Sequence, residues 1–555
     1  MYADTTQSPK LTENRRATKP TVSQHDSVKK RHKQVNNIRK EELERSISMH
    51  RSRVDTALSA NQPEQASPEA EQYSLEEICS DIRSGEPTRR GKGASNLRRM
   101  SMKGAPKDYA AKVLQCGIVQ DIVEMMLSTT SGPPLDETVD CLLWALANVA
   151  SSPESDHTRQ LMACRLSDLC FGYLMLAPDD LPPRTLENVL WILANLVGED
   201  TEVREYILQR EVLRLAALHL QYRGEDCAVL EIFGLLLHNL SRQPAHHNWP
   251  LLQTMLSPLR FLFDHSHNSQ QQLRVDALTA VHNLLTLGDV VHGPVLAIFT
   301  ADWLLQTLDA SSIRPGLVKL LLSLIIELTS SLDEYSQRFA DAGLWTLLAR
   351  LQQMKNMPKP MLYNILSNIL LCGPSFIDAF SQQSLLFDAV ISDSLHAAYD
   401  VAKEAVYALA AAVQRANYAQ LDRFEFANIM EVFKKFVLHR DPQLMRHVLS
   451  SLEIYIAADS QRLFLPEESE FRKVETTAIS QMFELGFPEL LENLAIASVA
   501  RTEVSELAGE LADLLNKYAE SETLSLTGDD ILTQIRRVEE EHWSPHGHYK
   551  SPYGF

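Results

Sequence analysis

From about residue 76 to residue 520, large aliphatic side chains return every three to four positions over stretches of 10 to 16 residues. The connectors between these stretches are short and hold Pro, Gly or Asp/Ser. Such spacing lines apolar groups along one stripe of a helix, and no stretch sustains the apolar/polar alternation of a half-buried strand. An all-α chain is expected. One helical segment keeps returning, small-aliphatic in character with a marker residue near its end: LLWALANVAS (Asn148), VLWILANLVG (Asn195), FGLLLHNLSR (Asn239), ALTAVHNLLT (Asn283), LLSLIIELTS (Glu327), LYNILSNILL (Asn368), AVYALAAAVQ (Ala411) and SSLEIYIAAD (Glu453). Successive markers lie 47, 44, 44, 44, 41, 43 and 42 residues apart.

A weaker unit precedes these (Ser95–Ala111) and another follows (Gln481–Tyr518), about ten in all. A helical unit just over forty residues long cannot bury its own apolar face and must stack on its neighbours, which is the armadillo or HEAT signature. Between markers come stretches such as VLQCGIVQDIVEMML (Val113–Leu127) and FADAGLWTLLARL (Phe339–Leu351), each with Gly at a junction of two helices. That junction favours the three-helix armadillo unit. The expected fold is a right-handed superhelical solenoid of about ten armadillo repeats over residues 76–520.

The flanks differ in kind. Residues 1–60 are rich in Ser, Thr, Asn, Gln and charge, too poor in large apolar groups to bury a core, and are expected to be a disordered arm. Residues 61–75 read as a polar linker and 521–555 as a polar tail ending in SPYGF. Charge sharpens the contrast. Residues 1–53 hold 13 Lys/Arg and 6 Asp/Glu, a net +7, which leaves −26 for the rest of a chain whose total is −19. A basic arm is tied to an acidic body, a balance that argues against nonspecific nucleic-acid binding by the whole chain.

In an armadillo unit the third helix lines the concave face. Trp144 and Asn148 stand at i and i+4 there, as do Trp191 and Asn195, so each pair shares one face one turn apart. An Asn amide both donates and accepts, which suits it to the backbone of an extended peptide without reading its sequence. A Trp beside it can stack on the stem of Lys or Arg, with a cation–π contribution of roughly 0.5–2 kcal/mol. Acidic residues such as Glu199 would receive the charged heads. Two alternatives stay open: the Trp side chains could belong to the core, and the Asn side chains could bridge repeats.

At these residues the chain resembles the importin alpha family, armadillo adaptors for proteins with basic nuclear localisation signals. The resemblance runs from Asp26 to about Tyr518. It implies that Asp26–Arg53 is an importin-beta-binding and autoinhibitory arm carried by Lys29, Lys30, Arg31, Lys33, Arg39, Lys40, Arg51 and Arg53. It further implies a major signal-binding site of Trp144, Asn148, Thr158, Trp191, Asn195, Glu199, Leu235, Asn239 and Asn283, with Leu235 where the family has a third Trp. The minor site departs more: Ser323 and Glu327, Asn364 and Asn368, and Tyr407 and Ala411 fall on its pairs, so only Asn364, Asn368 and Tyr407 are carried over, as a degraded site. The implied partners are importin beta, cargo with basic signals and a recycling exportin at the last repeat, in a protein shuttling between cytoplasm and nucleus. Neither direct nucleic-acid nor membrane contact is expected.

Other chemistry is thin. The seven cysteines (Cys79, Cys116, Cys141, Cys164, Cys170, Cys227, Cys372) form no CxxC pair, so neither a disulfide scaffold nor structural zinc is expected. His246-His247, His265-x-His267 and His546-x-His548 lack Cys or acidic partners at metal spacing, and no metal or cofactor is expected. No GxSxG or phosphate loop is present, so the chain reads as a non-enzyme. The N-terminus is polar and no apolar run approaches the ~20 residues of a membrane helix. Ser8, Ser67, Ser544 and Ser551 precede Pro and are candidate phosphorylation points. The competing reading is an armadillo interaction scaffold with no transport role.

Overall fold

A computed structural model describes residues 73–101, 108–128, 135–222, 227–266, 270–310, 315–427, 429–437, 441–463, 477–497 and 503–524. Among the described residues all regular structure is α-helix with two 3₁₀ turns, and there is no strand. The basic arm, Lys29 to Arg53 included, lies outside the described residues, as does the tail beyond 524.

From Tyr109 on the helices come in threes, two shorter ones and then a longer third, and before them Leu75–Arg83 leads into one longer helix in the same place. The third helices, labelled α1 to α10, are Pro87–Met100, Glu137–Ala150, Pro183–Glu199, Cys227–Leu240, Gln271–Leu285, Pro315–Thr329, Lys359–Leu370, Tyr399–Val413, Pro442–Leu463 and Glu503–Leu524. Four of them open on Pro, whose fixed φ and missing N–H suit the first helical turn. The weak first unit expected over 95–111 is corrected: its third helix is α1, which ends at Met100 before a Ser101 cap.

Two compact units divide the described chain at Phe299/Thr300. In the first, α1 packs on α2, α2 on α3, α3 on α4 and α4 on α5; in the second, α6 packs on α7 and so on to α10. Third helices are covered on most sides, and α3 shows the effect: Val189 through Ala194, Leu196 and Val197 are all buried. A helix apolar all round is an interior helix.

The junction between first and second helices repeats a left-handed residue. Gly117 (φ 73°) and Gly343 (φ 92°) supply it without steric cost, but Arg165 (φ 61°) and Glu211 (φ 56°) hold the same turn with a Cβ. Arg165 is steadied there by its Nε, which donates to Asp168 Oδ2 at 3.0 Å.

Candidate functional site

The third helices of the first unit carry the candidate site. Trp144 on α2 and Trp191 on α3 meet edge to face, with centroids 6.1 Å apart and planes at 66°. Trp144 is half-buried and Trp191 is 3% exposed. The Arg98 guanidinium, from α1, lies over the Trp144 ring, 4.7 Å from its centroid. Leu235 continues the row on α4 and is half-buried.

One turn on, the Asn amides point toward the preceding third helix. Asn148 Nδ2 donates to Ser101 O (3.1 Å) and Oγ (2.9 Å). Asn195 Nδ2 donates to Ala147 O at 3.0 Å, and Asn239 Nδ2 to Ala194 O at 2.8 Å. Asn283 Nδ2 reaches Ser241 Oγ at 3.1 Å. Of the two uses the sequence left open for these amides, bridging repeats is the one these distances record. Half-buried Asn239 and Asn283 each spend one N–H on the bridge and keep a second N–H and Oδ1.

Sequence reasoning missed a third row. One turn before Trp144, Trp191 and Leu235 stand Asp140, Glu187 and Glu231, all half-buried. The i, i+4, i+8 spacing of acid, apolar residue and Asn could have revealed it. Asp140 Oδ1 accepts from Thr185 Oγ1 at 2.8 Å, which anchors that carboxylate.

At the end of α3 the surroundings are more basic than the sequence suggested. Arg159 Nε donates to Asp200 Oδ2 at 2.9 Å, while Asp200 Oδ1 caps the next helix through Glu202 N and Val203 N. Arg204 Nε and Arg242 Nη1 donate to the last carbonyls of α3, Val197 O (3.0 Å) and Gly198 O (2.5 Å). Glu199 closes α3, and its side chain lies outside the described residues. Thr158 is 1% exposed.

In the second unit, Asn368 Nδ2 donates to Ile326 O (3.1 Å) and Thr329 Oγ1 (3.2 Å), which repeats the bridge. Asn364, half-buried, makes no side-chain hydrogen bond among the described residues. Tyr407 meets His447 edge to face at 5.3 Å, and the Lys403 ammonium lies 5.6 Å from its ring. Ser451 Oγ approaches Ala410 O at 3.5 Å. These two contacts correct the register of the eighth marker: on α9 the aromatic position is His447 and the marker is Ser451, two residues before Glu453. Burial, with Arg446 beside it, pushes His447 down to about 4. Burial also raises the Tyr407 phenol. Where the first unit has Asp140, Glu187 and Glu231, the second has Lys319 before Ser323 and Lys403 before Tyr407. Lys403 is ion-paired to Asp441.

Of the clustered histidines, His246 and His247 sit in a 3₁₀ turn, and His265 stacks on Phe261 with ring centroids 3.9 Å apart. His267, His546 and His548 lie outside the described residues. Among the described residues no group of His, Cys, Asp and Glu is arranged to hold a metal, and no helix is long and apolar enough to cross a membrane.

No protein-family model matches the chain, and no curated protein does. Solved structures do. An engineered protein is 17% identical with a TM-score of 0.62, covering 80% of this chain and 98% of its own. A structure described by a conserved phosphorylation switch controlling the interaction between cadherin and beta-catenin is 14% identical with a TM-score of 0.53, covering 80% and 94%. At these identities the likeness defines fold: this is an all-α, armadillo-like helical repeat protein.

Proposed function

We propose that the protein is a non-enzymatic nuclear import adaptor of the importin alpha kind, whose first-unit ladder receives a basic peptide in extended form. The carrying observation is the edge-to-face pair of Trp144 and Trp191, with a guanidinium already seated on Trp144 and half-buried carboxylates one turn away. A face that holds Arg98 at 4.7 Å has the chemistry to hold the stem and head of a ligand Lys or Arg. In this reading residues 1–60 bind importin beta and compete for the groove, and cargo shuttles between cytoplasm and nucleus. A recycling exportin docks at the last repeat.

The loss of the acid row in the second unit supports a receptor for single-cluster signals. The test is fluorescence anisotropy of a labelled Lys-rich peptide with residues 60–555, compared with Trp144→Ala and with Glu187→Gln/Glu231→Gln. Salt-sensitive binding weakened by both variants is expected. Failure of the arm-free protein to bind basic peptides would sink the reading.

The second reading is an armadillo interaction scaffold without transport. Leu235, Ala411 and the inward-turned Asn amides favour it, because they leave fewer groups for a peptide backbone. Absence of importin beta binding by residues 1–60 would select it.

A further inference from the structure

Away from the ladder, the helix Leu75–Arg83 and the junction before Gly117 bring two thiols together. Cys79 Sγ and Cys116 Sγ lie 3.5 Å apart across 37 residues of sequence, and both cysteines are free. Each is held in place by its neighbours. Cys79 lies in the buried stripe of its helix with Ile78 and Ile82. Cys116 caps the helix Tyr109–Gln115, its thiol donating to Val113 O at 3.2 Å, and the left-handed Gly117 turns the chain directly after it. Arg83 ties the two segments: its Nη2 donates to Cys116 O at 3.1 Å and its Nε to Asp121 Oδ2 at 2.7 Å.

We propose that Cys79 and Cys116 form a reversible oxidation site that takes hydrogen peroxide as oxidant and closes as a disulfide. A disulfide needs its sulfurs ~2.05 Å apart, so closure asks each side chain for less than about 1 Å of movement. Exposure sets the order of events. Cys79 is 2% exposed, and its thiol is pushed up to about 12, chiefly by burial and then by its contact with Cys116. Half-buried Cys116 therefore meets the oxidant first. Its sulfur takes one peroxide oxygen: an S–O bond forms, the O–O bond breaks, and the thiol proton leaves in water. The Cys79 sulfur then attacks the sulfenic sulfur; the S–S bond forms, the S–O bond breaks, and the departing hydroxide carries off the Cys79 proton as a second water. Two thiols give up two electrons, and the peroxide accepts them.

The bridge closes a loop that contains α1, joining the first described helix to the next repeat. A covalent link across 37 residues restricts the unfolded chain, so the bridge raises the stability of the segment it closes.

The experiment uses the full-length chain. It is reduced, treated with a small molar excess of hydrogen peroxide, alkylated under denaturing conditions and digested so that Cys116 and Cys141 fall on separate peptides. A Cys79–Cys116 cross-linked peptide that dithiothreitol removes is expected, together with a rise of several degrees in the first thermal transition. In Cys79→Ser the cross-link disappears and dimedone labels Cys116; Cys116→Ser, at the half-buried position, gives a folded control that neither cross-links nor gains stability. Peroxide-treated protein in which Cys79 stays fully alkylatable, or in which other cysteines pair instead, overturns the proposal.

Discussion

Asn195 donates its side-chain amide to the backbone carbonyl of Ala147, 3.0 Å away on the preceding third helix, and is itself 2% exposed. The same carbonyl already accepts Ser151 N at 3.1 Å, so the amide fills its second lone pair and welds α3 to α2. Removing the amide leaves that lone pair dry. Asn195→Ala is expected to destabilise the first unit by about 1–3 kcal/mol, and Asn195→Asp by more, since a carboxylate there would face a carbonyl oxygen. Asn364→Ala, which loses no side-chain bond, serves as the reference and should stay within about 0.5 kcal/mol. Urea midpoints report the difference, with each compact unit followed through its own transition.

Trp144 and Trp191 are a pair with unequal roles. Trp191 is 3% exposed and its truncation removes a core side chain, at a cost of about 3–5 kcal/mol. Trp144 is half-buried, and its truncation to Ala should chiefly affect ligand. If basic peptides bind the ladder, Trp144→Ala weakens them about 2- to 30-fold, the range of a cation–π contact, while Trp144→Phe retains part of the affinity. Anisotropy titrations at two salt concentrations, paired with a thermal melt, separate the two roles.

The repeats were legible in the sequence because every third helix must bury the same face, which forces the same small-aliphatic pattern every forty-odd residues. The five Asn markers, Asn148, Asn195, Asn239, Asn283 and Asn368, each make the bridging bond. The eighth marker failed because the Ser451 hydroxyl carries no signature that separates it from Glu453 two positions on; contacts of His447 with Tyr407 and of Ser451 with Ala410 decide it. Helix junctions were legible only where glycine marks them. Gly117 and Gly343 announce the left-handed turn, but Arg165 and Glu211 adopt it under tertiary constraint that no propensity reveals. The amide donors were ambiguous for a different reason: an Asn at a helix end can serve ligand or neighbour equally well, and only the 2.8–3.0 Å distances from Asn195 and Asn239 to the previous helix show where these two point.

Gly234 on α4 is a packing contact. A Cβ built there would stand 2.4 Å from Leu273 Cδ1, at the start of α5, where Leu273 is 2% exposed. The obstacle is the tip of a side chain inside a packed core, so Leu273 must leave its position to admit even one methyl. Gly234→Ala is expected to cost about 1–3 kcal/mol. Leu273→Val alone should also destabilise, by trimming the core, yet the double variant should be more stable than the two costs added together. A double-mutant cycle on the urea transition of the first unit measures that coupling, and strict additivity would refute the contact.

Two side chains of α9 give the second unit opposing pH dependence. Burial, with Glu510 nearby, pushes the Glu453 carboxyl from its usual 4.5 up to about 7. Between these values the folded state holds a proton that the unfolded state has released, so the contribution of Glu453 is intact below about 4.5 and is lost as pH rises through 7. His447 works the other way. Its folded value, about 4 against 6.5, means that its contribution is intact above 6.5 and is lost as pH falls toward 4. Glu453→Gln should therefore gain on the wild type by about 1–3 kcal/mol as pH rises from 5 to 7.5, with the partial exposure of the site setting the lower end. His447→Gln should show the complementary change, losing its disadvantage as pH falls from 6.5 toward 4.5. Urea melts of both variants and the wild type across that range separate the two terms, and a Glu453→Gln difference that does not vary with pH would remove the carboxyl from the account.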